Sequence, residues 1–250
     1  MSMHKGPNVD LDKQSTKGLF ARGALDTFPL IVAATPFAIL YGALALNNGM
    51  SFVAALSMSI FVFAGASQFV AVTLVGASAP VLIIIATVFV VNLRHILYSI
   101  RFMPNIKSLP KWQRIPMGFW MTDESFSVAS RFIDQDKPSD KQLHHYYWGS
   151  AIAMYLNWVL FTYIGMLLGQ YMPSVTSWGL DIAMVLAFIA IVVPFLKTKS
   201  HICCALVAVV SSVITMHWPY KIGLLFSSLL AISVGVLINK YYERKVESIK

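Results

Sequence analysis

Arg94, Asp123 and Glu124 carry charge inside stretches that are otherwise apolar, so each demands a partner or a purpose. Counted back from Arg101 at 1.5 Å per residue, Arg94 lies about 10 Å along a helix. A guanidinium held that deep in hydrocarbon costs at least a few kcal/mol unless it is paired or hydrated. Arg94, Tyr98 and Arg101 share one helical face at i, i+4 and i+7, with His95 and Ser99 on an adjoining face. Arg94 can pair with a carboxylate, either a substrate's or that of Asp123 or Glu124. Alternatively it snorkels to the headgroups. The neighbouring acids Asp123 and Glu124 suit a substrate ammonium or proton coupling. The plainer alternative is that Thr122 or Asp123 caps a helix over 124–132, where acids favour the positive end.

A second constellation is Gly65, Ser67 and Gln68, which interrupts the apolar run 61–69. A half-helix beginning there would aim free N–H groups and its positive end at an anion such as an amino-acid carboxylate. Close interhelical packing through small residues is the alternative, and it leaves Gln68 unexplained. The six histidines form no metal-ligand spacing, and no Walker-type glycine loop is present. Neither a metal nor a cofactor is therefore expected. Cys203 and Cys204 are helix neighbours that point apart, so they read as packing residues rather than a disulfide.

The elements that must position these residues are membrane helices. The chain has 250 residues, 57% apolar and only 12% charged, with a mean hydropathy of +0.68. An average soluble protein is about 25% charged. The net charge of +8 would suit nucleic acid. Basic loops on the cytoplasmic side explain it better, and no nucleic-acid partner is expected. Apolar segments fall at about 24–46, 52–75, 81–100, 115–132, 146–168, 180–196, 201–216 and 222–239. Lys and Arg gather in 5–22, 101–114, 131–141, 197–199 and 240–250. The loops 47–51, 76–80 and 169–180 have none, and the loop near 216–221 has Lys221 alone.

Threading all eight segments across would put the basic stretch 101–114 outside, against the positive-inside rule. The conflict disappears if 52–75 enters and leaves on the outer side and 115–132 does so on the inner side. The expectation is an all-α integral membrane protein with about six full transmembrane helices and two broken or re-entrant segments of opposite orientation. A cytoplasmic arm (1–22), one transmembrane transport domain (23–240) and a cytoplasmic tail (241–250) follow. Pro29 and Pro36 are expected to break or kink the first span. Trp112, Trp148, Trp178 and Trp218, near segment ends, fit an aromatic belt. Oppositely oriented broken segments point to a transporter, because irregular backbone at membrane depth survives only inside protein or beside a wet cavity.

The same motifs carry a resemblance. Phe63-Ala64-Gly65-Ala66-Ser67-Gln68-Phe69, Asn92-Leu93-Arg94-His95-Ile96-Leu97-Tyr98 and Thr122-Asp123-Glu124-Ser125-Phe126 resemble, in order and spacing, the AzlC family of branched-chain amino-acid exporters. The likeness covers most of 18–240 and is strongest in the first 130 residues. It implies an inner-membrane exporter of valine, leucine, isoleucine and, in some members, methionine. It also implies a small hydrophobic partner subunit of the AzlD/YgaH type. Asn92 stands where some relatives have Asp, which removes one titrating group. The working expectation places the substrate at Gly65, Ser67, Gln68, Asn92, Arg94 and Tyr98. Asp123, Glu124 and His95 then hold the ammonium or couple protons, and the proton gradient drives export. The rival readings are a channel, a non-transporting structural or regulatory subunit, and a membrane enzyme using Asp123, Glu124 and His95. The last lacks any nucleophile motif.

Overall fold

A computed structural model describes residues 15–171, 189, 193, 196, 198–219 and 222–247. The expected segment 180–196, apart from 189, 193 and 196, lies outside the described residues, as do Trp178, Lys197 and Lys221.

Ser15 caps the first helix by accepting from the Gly18 N–H at 3.1 Å, and α1 then runs Thr16–Asn47. It thus starts within the stretch read as an arm. Pro29 and Pro36 lie inside this unbroken helix, which corrects the expected break. A neighbouring helix supports α1 along its length, and membrane helices tolerate proline where neighbours and hydroxyls re-satisfy the backbone. Thr35, beside Pro36, donates to the Ile31 carbonyl at 2.9 Å and reaches Asn157 at 3.0 Å.

That neighbour is α8, Asp140–Tyr171. The pair is parallel: Gly23 meets Tyr146, Thr27 donates to Ser150 at 2.6 Å, and Gly42 meets Thr162 and Gly165. A Cβ on Gly23, Gly42, Gly149 or Gly165 would sit 2.0, 2.2, 1.9 or 2.1 Å from a carbonyl oxygen of the facing helix. In lipid no hydrophobic force draws helices together, so close backbone approach through small residues supplies the packing. This seam is the scaffold for everything else.

Two broken segments lean on it. In the first, α2 (Phe52–Phe61) and α3 (Gly65–Gly76) are separated by Val62–Ala64, where Phe63 adopts φ +43°. Asn48, at the end of α1, lies so close to Gly76 that a Cβ there would meet its Oδ1 at 1.8 Å. The segment therefore returns to the end at which it entered. In the second, α6 (Lys111–Phe119) and α7 (Asp123–Asp136) are separated by Trp120–Thr122. Ser108, just before α6, donates its N–H to Asp140 at 2.9 Å, while Asp136 at the end of α7 accepts from Arg22 at 3.2 Å. This segment enters and leaves at the opposite end, beside the starts of α1 and α8. The two re-entrant segments of opposite orientation are thus present.

Their tips converge on one side chain. Tyr155, midway along α8, has ring centroids 4.9 Å from Phe63 and 5.9 Å from Trp120, and its hydroxyl donates to the Ile60 carbonyl at 3.2 Å.

Between the two segments, α4 (Val81–Asn92) and α5 (Arg94–Phe102) form a run interrupted at Leu93. Residues 81–105 carry the chain from one end to the other. Arg101 bonds Asp134 at the far end, and Phe102 packs on Phe126 and Tyr147. The final described pair, α9 (Lys199–Ile214) and α10 (Ile222–Glu247), is an antiparallel hairpin. Ser200 donates to the Gly235 carbonyl at 2.7 Å, and Thr215 meets Ser227 at 3.2 Å. Among the described residues four helices are long and apolar enough to cross a membrane: α1, the 81–105 run, α8 and α10. α9 is shorter, at 16 residues.

Candidate functional site

The second break builds an ionic cluster. Thr122 and Ser125 form a reciprocal capping box: the Ser125 N–H reaches Thr122 Oγ1 at 3.3 Å, and the Thr122 N–H reaches Ser125 Oγ at 2.9 Å. The cap reading of Thr122 is therefore correct, and it starts α7 at the break. Asp123 becomes the first helical residue, where the helix end favours a negative charge. Arg94 Nη1 donates to Asp123 Oδ2 at 2.5 Å, and the Tyr98 hydroxyl donates to the other carboxylate oxygen. The side chains of Arg94 and Asp123 are only 21% and 10% exposed. Tyr98 is fixed in turn by stacking on Phe126 at 4.1 Å. Arg94 therefore pairs with the second broken segment, as one of the sequence readings anticipated, with α5 supplying the cation and α7 the anion.

His95 adds a second link. Its Nδ1 lies 3.0 Å from the Asn92 carbonyl and its Nε2 lies 3.1 Å from the Met121 carbonyl. Carbonyls only accept, so a neutral ring bonds one of them and a protonated ring bonds both. Buried Asn92 Oδ1 and Arg94 Nε have no hydrogen-bond partner. Two polar atoms beside the break are thus left available to a ligand or water. Glu124 is half-buried and forms no ion pair among the described residues, although Thr122 hydrogen-bonds it.

The first break is built differently. Gln68 accepts from Trp158 Nε1 at 3.1 Å and donates to Ser59 at 3.0 Å; Ser59 in turn meets Thr162 at 3.0 Å. Ser67 donates to the Ala64 carbonyl at 2.8 Å. Ser59, Ser67, Gln68 and Thr162 are wholly buried. Gly65 faces the Trp158 ring, where a Cβ would meet it at 2.8 Å. Gly65, Ser67 and Gln68 are therefore together, but the Ser67 and Gln68 side chains are spent on hydrogen bonds that hold α2, α3 and α8 in register. Ser59, Trp158 and Thr162 were absent from the sequence reading. A polar residue and an indole on a long apolar helix were the only signal available. Arg22 was also missed as a structural cation. It bonds Asp136, approaches Asp26 at 3.7 Å, and lies 5.1 Å from the Phe132 ring centre.

No group of three or more metal-binding side chains occurs among the described residues.

The fold and this cluster define an integral membrane protein organised around two broken helices with an ionic set at one of them. The family described as "AzlC protein" matches residues 29–172, more than half of the chain, and the chain belongs to that family. It is similar to the inner membrane protein YgaZ of Escherichia coli (strain K12), with 27% identity over 81% of this chain and 84% of that protein. It is also similar to the branched-chain amino acid transport protein AzlC of Bacillus subtilis (strain 168), with 29% identity over 78% and 75%. An uncharacterized membrane protein of Helicobacter pylori (strain ATCC 700392 / 26695) is 24% identical over 90% of this chain and 98% of its own length. No solved structure matches.

Proposed function

We propose that the chain is a secondary transporter that exports the branched-chain amino acids valine, leucine and isoleucine across the cytoplasmic membrane. In this reading the proton gradient drives export, and the chain is the large subunit beside a small hydrophobic AzlD/YgaH-type partner. The observation that carries the reading is the Arg94–Tyr98–Asp123 set at the capped break of α7. Charged groups at such a break mark a substrate or ion site in membrane transporters. The family and the name of the Bacillus subtilis relative supply the substrate class.

The substrate carboxylate is drawn to Arg94, whose Nε–H is unused, and to the break at Gly65–Gln68, while Asn92, whose unpaired Oδ1 only accepts, faces the substrate ammonium. Asp123 or Glu124 meets the ammonium. His95, which bonds the Asn92 and Met121 carbonyls together only when protonated, carries the proton. The starts of α1 and α8 face the cytoplasm, because the basic residues of 101–114 and 131–141 lie at that end.

Two measurements test this. Proteoliposomes holding the chain and its partner should release preloaded labelled valine faster than empty vesicles. Equal release under either sign of pH gradient would sink the export claim. Cysteines placed at Ser78 and Lys107 test orientation. In intact cells an impermeant thiol reagent should label position 78 and spare position 107, and the reverse pattern inverts the topology.

A further inference from the structure

The exposed face of α7 is unlike that of the lipid-facing helix α4. On α4 the outward residues Val81, Leu82, Ile85 and Phe89 are 60–75% exposed, and all are apolar, as contact with lipid requires. On α7 the division runs the other way. Phe126, Val128, Ala129, Phe132 and Ile133 are buried and so is the Ser130 hydroxyl, whereas Glu124, Ser127, Arg131, Asp134 and Gln135 are half-buried or exposed. At 3.6 residues per turn these five fall within an arc of about 100°. This is the pattern of a helix with one face in water.

Yet α7 descends from the level of the re-entrant tips. Trp120, just before it, packs on Tyr155, and Phe132 stacks on Tyr146 at 3.9 Å. Its upper turns therefore lie alongside the apolar run of α8, where a polar face against lipid would be costly.

At the upper end of the face stands Glu124. Its neighbour Asp123 is already neutralised by Arg94 and bonded by Tyr98, and it is 9% exposed. Asp123, Arg94 and Tyr98 are the charged and titratable groups facing Glu124, from α7 itself and from α5. Arg94 is committed to Asp123, so among the described residues Glu124 has no cation of its own.

We infer that the polar face of α7 lines a water-filled path from the end where α1 and α8 begin, and that Glu124 at its blind end is the acid that binds a cationic group. Asp123 then serves as a positioning residue that locks α7 to α5. The cation is a substrate α-ammonium, which rests on the transport reading above, or a bare proton, which does not.

The test uses the full chain with Cys203 and Cys204 replaced by Ala. A small water-soluble thiol reagent should modify Ser127→Cys at least tenfold faster than Val128→Cys and Ala129→Cys. Dicyclohexylcarbodiimide, which attacks protonated carboxyls in apolar surroundings, should label Glu124 by peptide mass spectrometry. Glu124→Gln should remove that label and Asp123→Asn should retain it. Equal thiol rates around the helix, or a label carried by Asp123, overturns the inference. Valine should slow both reactions if the cation is its ammonium. If both reactions proceed but valine has no effect, Glu124 is a proton site and the amino-acid reading fails alone.

Discussion

Asp123→Ala is expected to abolish valine flux in proteoliposomes and to lower the melting temperature of the detergent-solubilised protein. The carboxylate neutralises Arg94 and accepts from Tyr98 in a site with little access to solvent. Removing one partner of a buried pair leaves the other charge uncompensated and costs about 3–5 kcal/mol. Arg94 is about a fifth exposed, so the lower end of that range applies. Arg94→Leu should behave similarly. The double variant Arg94→Leu/Asp123→Leu removes both charges and should recover most of the lost stability while transport stays at least tenfold down. That split between stability and flux separates a functional ion pair from a merely structural one. Tyr98→Phe removes one hydrogen bond to a charged group, worth about 1.5–3 kcal/mol, and is the milder variant.

The second large effect lies far from any charge. Gly42→Ala and Gly165→Ala should each destabilise the protein by about 1–3 kcal/mol through overpacking, because the new methyl meets a backbone oxygen that cannot move aside. Gly118→Ala is the control, since no atom lies within 4 Å of its would-be Cβ. That change removes a flexible residue from α6 and should be neutral or stabilising by about 0.5–1 kcal/mol. Thermal unfolding monitored by size exclusion should therefore rank Gly118→Ala at or above the parent, with Gly42→Ala and Gly165→Ala below it. The reverse order would mean that α1 and α8 are not seated on each other through glycine.

The two broken segments were legible from sequence because two independent signals agreed on them. Small and polar residues mark where the second half-helix of each segment starts, from Gly65 and around Thr122–Ser125, next to the breaks at 62–64 and at 120–122. The distribution of Lys and Arg then required each segment to turn back. The meeting of Arg94 with Asp123 was also within reach, since an isolated cation and an isolated acid at depth have few other partners. The α1–α8 seam was not. It depends on Gly23, Thr27 and Gly42 facing Gly149, Ser150 and Gly165, which lie more than a hundred residues away. A four-residue rhythm of small side chains marks such a face but does not name its partner. The interruption at Leu93 and the left-handed Phe63 had no local signal, as neither position is glycine or borders a proline. Of the break or kink expected at Pro29 and Pro36, the break is absent from α1 because a neighbouring helix outweighs a local preference.

The seam also imposes a schedule on synthesis. Thr27 and Ser150, which bond across it, are separated by 123 residues. At about 5–20 residues per second, α1 leaves the ribosome on the order of ten seconds before α8 exists to receive it. During that interval its glycine face is open to any other small-residue helix in the same membrane. Both re-entrant tips must wait as well, because Tyr155, on which they close, arrives with α8. Biogenesis of this protein is therefore decided late: everything up to residue 139 is inserted provisionally, and the arrival of one helix locks it.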